Sequence, residues 1–220
     1  MGIGRREFIR LTSIALAGFA VSPLQAVVTN NNVYINKKLG ILFHKPTKWG
    51  FISVKDFGKL KEEQIFANHF DLTKQEVFND LEDPIVIATK YFKNNNENVG
   101  VFSPTITLNI QRKSELEHLK YESFEELIYW SEMGLKEILK EFTVLKRHDP
   151  YTLAGSKFYE FDSEYLFEHV EISEPLKVEL KTLRTEHNGL YYDFNCHQCS
   201  AQNQTADREF QQFIESIKLI

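Results

Sequence analysis

Little in this chain repeats, clusters or runs long, and each shortage excludes something. Only 10 Gly are present, mostly isolated, so no glycine-rich loop cradles a phosphate, and the Gly-x-Ser-x-Gly and His-Glu-x-x-His patterns are missing as well. The two cysteines both lie in Cys196-His197-Gln198-Cys199, and no second Cys-x-x-Cys or His-x-x-x-His completes a four-ligand zinc set. The seven histidines, His44, His69, His118, His148, His169, His187 and His197, are scattered, with no two at i, i+4 spacing. Apolar residues run together only over 11–21, eleven positions, where a helix crossing a bilayer needs about 20. There is no internal repeat and no long linker. Without the three arginines and one glutamate of the first 26 residues, 26 basic and 31 acidic side chains become 23 and 30. That acidic balance argues against nucleic acid or an anionic membrane as partner, since both attract basic patches.

What is present begins at the N-terminus. Gly4-Arg5-Arg6-Glu7-Phe8-Ile9-Arg10 combines paired arginines, a polar spacer, an aromatic, an aliphatic and another base. This resembles the recognition pattern of the twin-arginine translocase, with Arg5, Arg6, Phe8 and Ile9 as the recognition residues. The apolar run 11–21 follows, then Ser22, helix-breaking Pro23 and Leu24-Gln25-Ala26, an end that a signal peptidase can cut after Ala26. An uncleaved amphipathic anchor or a chance basic start is the competing reading, and the absence of a Cys after the run disfavours a lipoprotein. The expectation is therefore a twin-arginine signal over 1–26 and one domain over 27–220, working in the periplasm or otherwise outside the cytoplasm, with no stable membrane span and with the translocase as its partner during export.

Over 27–220 the hydrophobic fraction, 42% for the chain, is enough for a real core, and 18 Phe and 9 Tyr are expected to pack it. Two capping boxes announce helices. Ser123-Phe124-Glu125-Glu126 opens one that places Phe124, Leu127, Ile128, Leu135, Ile138 and Leu139 on a single stripe and turns Glu125, Glu132, Lys136 and Glu137 to solvent. Thr73-Lys74-Gln75-Glu76 opens a shorter one burying Val77, Phe78 and Leu81. Thr205 can cap a third, in which Phe210, Phe213, Ile214 and Ile217 repeat at helical spacing. The runs 33–43, 49–54, 84–92, 105–110, 144–153 and 156–167 read as strands, and the asparagine clusters 30–32 and 94–98 as loops. Asn188-Gly189 joins 178–187 to 190–196 as a hairpin, because that pair best adopts the positive φ angles of a type I′ turn. Hairpins outnumber strand–helix–strand units, which predicts a mainly antiparallel sheet with helices packed on it.

Leu39-Gly40-Ile41-Leu42-Phe43-His44-Lys45-Pro46-Thr47-Lys48-Trp49 resembles the opening of PsbP-like domains, in which a Gly-led apolar strand runs into a Pro and then a Trp. Leu153-Ala154-Gly155-Ser156, the strand 190–196 and a final helix ending Phe213-Ile214-Glu215-Ser216-Ile217 are similar to later elements of that family. The resemblance implies an α+β fold, an α/β/α sandwich around an antiparallel sheet, in a family whose members are mostly non-catalytic accessory or binding proteins.

Cys196-His197-Gln198-Cys199 is the constellation with reactive potential: a redox dithiol, half a metal site or a disulfide. Redox pairs of the thioredoxin kind sit where a strand feeds a helix N-terminus, whereas this pair precedes the Thr205 cap by several residues. In an oxidising compartment a local disulfide is the expected state, with two reduced cysteines next and a redox or metal role last. No catalytic residue, metal ligand set or cofactor is indicated. Two functional readings stand: a non-enzymatic extracytoplasmic accessory protein binding an envelope protein or small ligand, or a folded redox or metal protein using Cys196 and Cys199.

Overall fold

Antiparallel hydrogen bonding joins every strand pair among the residues that the computed structural model describes, which are 27–29, 32–52, 64–65, 85–91, 101–169, 172–199, 201 and 206–220. Arg5, Arg6, Phe8, Ile9, Ala26, the capping box at 73–76 and the loop at 94–98 lie outside the described residues. The large sheet runs β4 (Gly50–Phe51), β6 (Val86–Thr89), β7 (Thr105–Arg112), β12 (Leu190–Gln198), β11 (Leu176–His187), β10 (Ser156–His169) and β5 (Gln64–Ile65), with β8 (Lys140–Arg147) and β9 (Tyr151–Leu153) also paired to β10. A smaller sheet is ordered β1 (Val27–Thr29), β2 (Val33–Asn36), β3 (Ile41–His44) and β13 (Lys218–Leu219).

Turn chemistry sets the hairpins. Asn188 and Gly189 take φ of 50° and 73° between β11 and β12, as the type I′ expectation requires. Ala154 and Gly155 repeat that pattern at 51° and 79° between β9 and β10. The run 33–43 is two strands, because Gly40 turns the chain at φ 60°. There a Cβ would lie 2.7 Å from the carbonyl oxygen of Ile220. The run 144–153 is likewise two strands, separated at 148–150 where Pro150 offers no amide to a ladder.

Three α-helices are described: α1 (Lys113–Leu116), α2 (Phe124–Ile138) and α3 (Ala206–Ser216). The Ser123 hydroxyl accepts from the Glu126 amide at 3.1 Å and caps α2 as expected, while the Glu126 carboxylate accepts at 2.7 Å from the Glu122 amide, one residue before the amide that a capping box uses.

Side chains alternate across the strands and give the large sheet two differently covered faces. Leu108, Phe158, Leu183, Tyr192, Phe194 and Cys196 share one face, packed under α3 and the small sheet. The Phe213 ring of α3 stands 5.2 Å from Phe43 and 6.1 Å from Phe194, centroid to centroid. The other face carries Phe161, Tyr165, Val178 and Leu180 beneath Leu135 and Ile138 of α2. The result is the α+β, helix–sheet–helix arrangement that the resemblance implied. Glu132 departs from the expected solvent side of α2: it is buried because it forms an ion pair with Arg147 of β8.

Candidate functional site

Toward the β8 side, the α3-covered face of the sheet turns from apolar to charged. Glu160 and Asp162 follow Phe158 at two-residue steps along β10, so all three project to one side. Lys181 of β11 is the register partner of Asp162, and Cys196 of β12 is in turn the register partner of Lys181. His148 follows β8 and is pinned by its amide, which donates to the Glu160 carbonyl at 3.0 Å.

These groups form one network. Lys181 Nζ donates to Glu160 Oε1 at 2.6 Å and to Asp162 Oδ1 at 2.7 Å. His148 Nε2 lies 2.7 Å from Asp162 Oδ2 and 3.7 Å from Glu160 Oε1. The Tyr151 hydroxyl donates to Glu160 Oε2 at 2.8 Å. Burial by itself raises the Asp162 carboxyl, but hydrogen bonds from Lys181 and His148 outweigh it and hold the group below its ordinary value. For Lys181 burial works downward, and the Asp162 and Glu160 carboxylates together push it up instead.

Beside the network a cavity of about 260 Å³ opens between the sheet and the start of α3. Asp162, Glu179, Lys181, Gln198 and Asp207 supply its polar lining, and Leu145, Cys196 and Phe210 its apolar or soft side. The Gln198 amide ties two of the acids together, donating to Glu179 at 2.9 Å and to Asp207 at 2.6 Å. Three carboxylates thus face one ammonium. The volume falls just short of pockets for drug-sized ligands and suits a small molecule or a single long side chain.

The cysteines do not meet as expected. Cys196 and Cys199 are both buried and no disulfide joins them. The physical reason is the length of β12: the strand runs on to Gln198, and three extended steps separate Cα atoms by about 10 Å, whereas a disulfide spans less than about 7 Å. Burial pushes the Cys196 thiol far above its ordinary range, which is the reverse of what an attacking thiolate needs. His197 projects to the opposite face, where its ring lies 3.3 Å from the Tyr165 hydroxyl. Two members of the sequence motif, Cys196 and Gln198, line the cavity; its charged residues Asp162, Glu179, Lys181 and Asp207, and the His148 and Glu160 that complete the network beside it, come from outside the motif. Their legible signal was the Glu160-x-Asp162 alternation within a strand, which puts two carboxylates on one side.

A second polar feature lies under α2 on the other face. Arg184, Asp193, Asn109, Gln111 and Ser131 surround a cavity of about 20 Å³, room for about one or two waters. Arg184 Nε is 3.4 Å from Asp193 Oδ2, its Nη1 donates to the Ile128 carbonyl at 3.2 Å, and its guanidinium stands 5.2 Å from the centre of the Phe161 ring. Burial raises the Asp193 carboxyl to about 6, with Arg184 and Asn195 pulling against it.

No protein-family model matches the sequence, and neither does any curated protein. Among solved structures, the chain is similar to the cyanobacterial PsbP (CyanoP) of Synechocystis sp. PCC 6803, with 12% identity over 88% of this chain and 95% of that one and a TM-score of 0.45. It is similar to LpqN of Mycobacterium tuberculosis, a protein involved in cell envelope biogenesis, with 11% identity over 81% and 82% of the two chains and a TM-score of 0.45. PA94 of Pseudomonas aeruginosa, a protein of unknown function, matches with 11% identity over 53% of this chain and 72% of its own, at a TM-score of 0.42. At these levels no residue role transfers from one chain to the other.

Proposed function

We propose that residues 27–220 form an exported, non-enzymatic accessory protein that holds a cationic group, from a small ligand or a partner's side chain, in the cleft between the sheet and α3. The observation that carries this reading is the cavity of about 260 Å³ with Asp162, Glu179 and Asp207 facing the single ammonium of Lys181. An incoming ammonium or guanidinium finds carboxylates already fixed on strands and a helix start, and charge-assisted hydrogen bonds of this kind are the strong ones. Lys181, bonded to two carboxylates at once, demonstrates the stereochemistry of ammonium capture in this wall. Against the redox alternative stands Cys196, whose buried thiol stays protonated and whose neighbour His197 projects to the other face.

Calorimetric titration with lysine- and arginine-containing tripeptides tests the reading. Saturable binding is expected, weakened about fivefold or more by Asp207→Asn or Glu179→Gln, because each removes one charged hydrogen-bond acceptor. Equal binding of acetylated and free amines, or no binding of either, overturns it.

Export is tested separately. Replacing Arg5 and Arg6 together by Lys is expected to leave the protein in the cytoplasmic fraction, because an ammonium lacks the planar, bidentate donors of a guanidinium. Unchanged periplasmic accumulation of the double variant refutes the twin-arginine assignment.

A further inference from the structure

The network at the end of the cleft has a donor set suited to more than an ammonium. One ligand atom each from His148, Glu160 and Asp162 can be chosen so that all lie within 4.8 Å of one another, and all three residues are partly buried. We propose that His148, Glu160 and Asp162 form a binding site for a divalent transition-metal ion of the Zn²⁺ class, with Lys181 as the internal cation that competes for it.

Geometry supports the assignment first. Donors bound to one ion at about 2.0–2.2 Å stand roughly 3–3.6 Å apart, and the separations from His148 Nε2, 2.7 Å to Asp162 and 3.7 Å to Glu160, bracket that range. Small side-chain rotations therefore suffice. The backbones are already fixed: Glu160 and Asp162 are alternate residues of a strand paired on both sides, and the His148 amide is bonded to the Glu160 carbonyl at 3.0 Å. The Tyr151 hydroxyl, 2.8 Å from Glu160 Oε2, orients that carboxylate from outside, as hydrogen bonds to metal ligands characteristically do.

Charge and ligand type define the class. One imidazole and two carboxylates carry two negative charges, which a divalent ion neutralises outright. The imidazole selects borderline ions such as Zn²⁺ over Mg²⁺, a hard ion that favours oxygen donors and keeps its waters. Three protein ligands leave a coordination position open, and Asp162 lines the cavity on that side. Lys181 has to give way. Its flexible stem permits this, and the cavity it lines also contains the carboxylates of Glu179 and Asp207, which can receive its ammonium.

An ordinary salt-bridge cluster and a metal site respond oppositely to loss of the lysine. Purified protein is titrated with Zn²⁺ by calorimetry, and the histidine ring resonances are followed by NMR. The expected result is one Zn²⁺ per chain, selective movement of the His148 ring signals, at least tenfold weaker binding in His148→Gln and in Asp162→Asn, and about tenfold tighter binding in Lys181→Met. Melting curves accompany each variant, and His148→Ala replaces His148→Gln should the latter fail to fold. Wild-type affinity in His148→Gln, movement of another histidine's signals instead of His148, or unchanged affinity in Lys181→Met overturns the proposal. The peptide titrations of the cleft are run in chelator, so failure of one reading does not carry over to the other.

Discussion

Asp193 and His197 sit four positions apart on β12, project to the same face, and are tuned in opposite senses, so the protein should conceal a pH dependence that mutation reveals. Burial raises the Asp193 carboxyl from 3.8 to about 6 and lowers the His197 imidazole from 6.5 to about 4. Between those limits folded Asp193 holds a proton that the unfolded chain has released. Its contribution to stability is therefore full below pH 4 and is lost as pH rises through about 6, by roughly 3 kcal/mol at 1.36 kcal/mol per unit. Folded His197 refuses a proton that the unfolded chain accepts. Its contribution is full above pH 6.5 and is lost as pH falls toward 4, again by roughly 3 kcal/mol. That figure is an upper bound, because the ring keeps some access to solvent. In the wild type the two slopes oppose each other. Urea denaturation at pH 4.5, 5.5 and 7.5 exposes them. His197→Gln should gain stability relative to wild type as pH falls. Asp193→Asn, combined with Arg184→Met so that no buried guanidinium is left unpaired, should lose it. Differences from wild type that stay constant with pH to within about 0.5 kcal/mol, a fraction of the shift expected from the linkage, refute the reasoning.

Four further outcomes follow from packing. Phe213→Ala should cost on the order of 3–5 kcal/mol, because the ring is wedged between Phe43 and Phe194; a urea midpoint within error of wild type means that α3 does not depend on it. Gly40→Ala should cost about 1–2 kcal/mol for the left-handed backbone alone and more for its contact with the Ile220 carbonyl. It should also speed hydrogen exchange at the Ile220 amide, which donates to the Gly40 carbonyl at 2.8 Å, and unaltered exchange there contradicts it. Cys196 and Cys199 should resist a thiol reagent in the native state and react as two thiols per chain in denaturant without reductant; reaction only after reduction restores the disulfide reading. Changing both to Ser should lower stability by about 1–3 kcal/mol for buried hydroxyls while leaving capture of cationic peptides intact.

Local chemistry determined much of this molecule in advance. Asn188-Gly189 has few alternatives to a tight turn, Ser123 and Glu126 start a helix wherever they meet an apolar stripe, and the period-two alternation along β10 and β11 orients each side chain before any tertiary contact forms. The antiparallel α+β class and the docking of α3 through Phe210 and Phe213 follow from such signals. What tertiary structure alone decided is which residues meet. His148, just past the end of β8, and Lys181 of β11 are 33 positions apart, yet register brings both to Glu160 and Asp162. Spacing in the sequence carries no trace of that, because a ligand set assembled across strands depends on pairing register. The same holds for the cysteines. Cys-x-x-Cys reads as a pair only if the chain turns between them, and β12 instead runs straight through to Gln198, so strand pairing with β11 and β7, and not the motif, decided their chemistry.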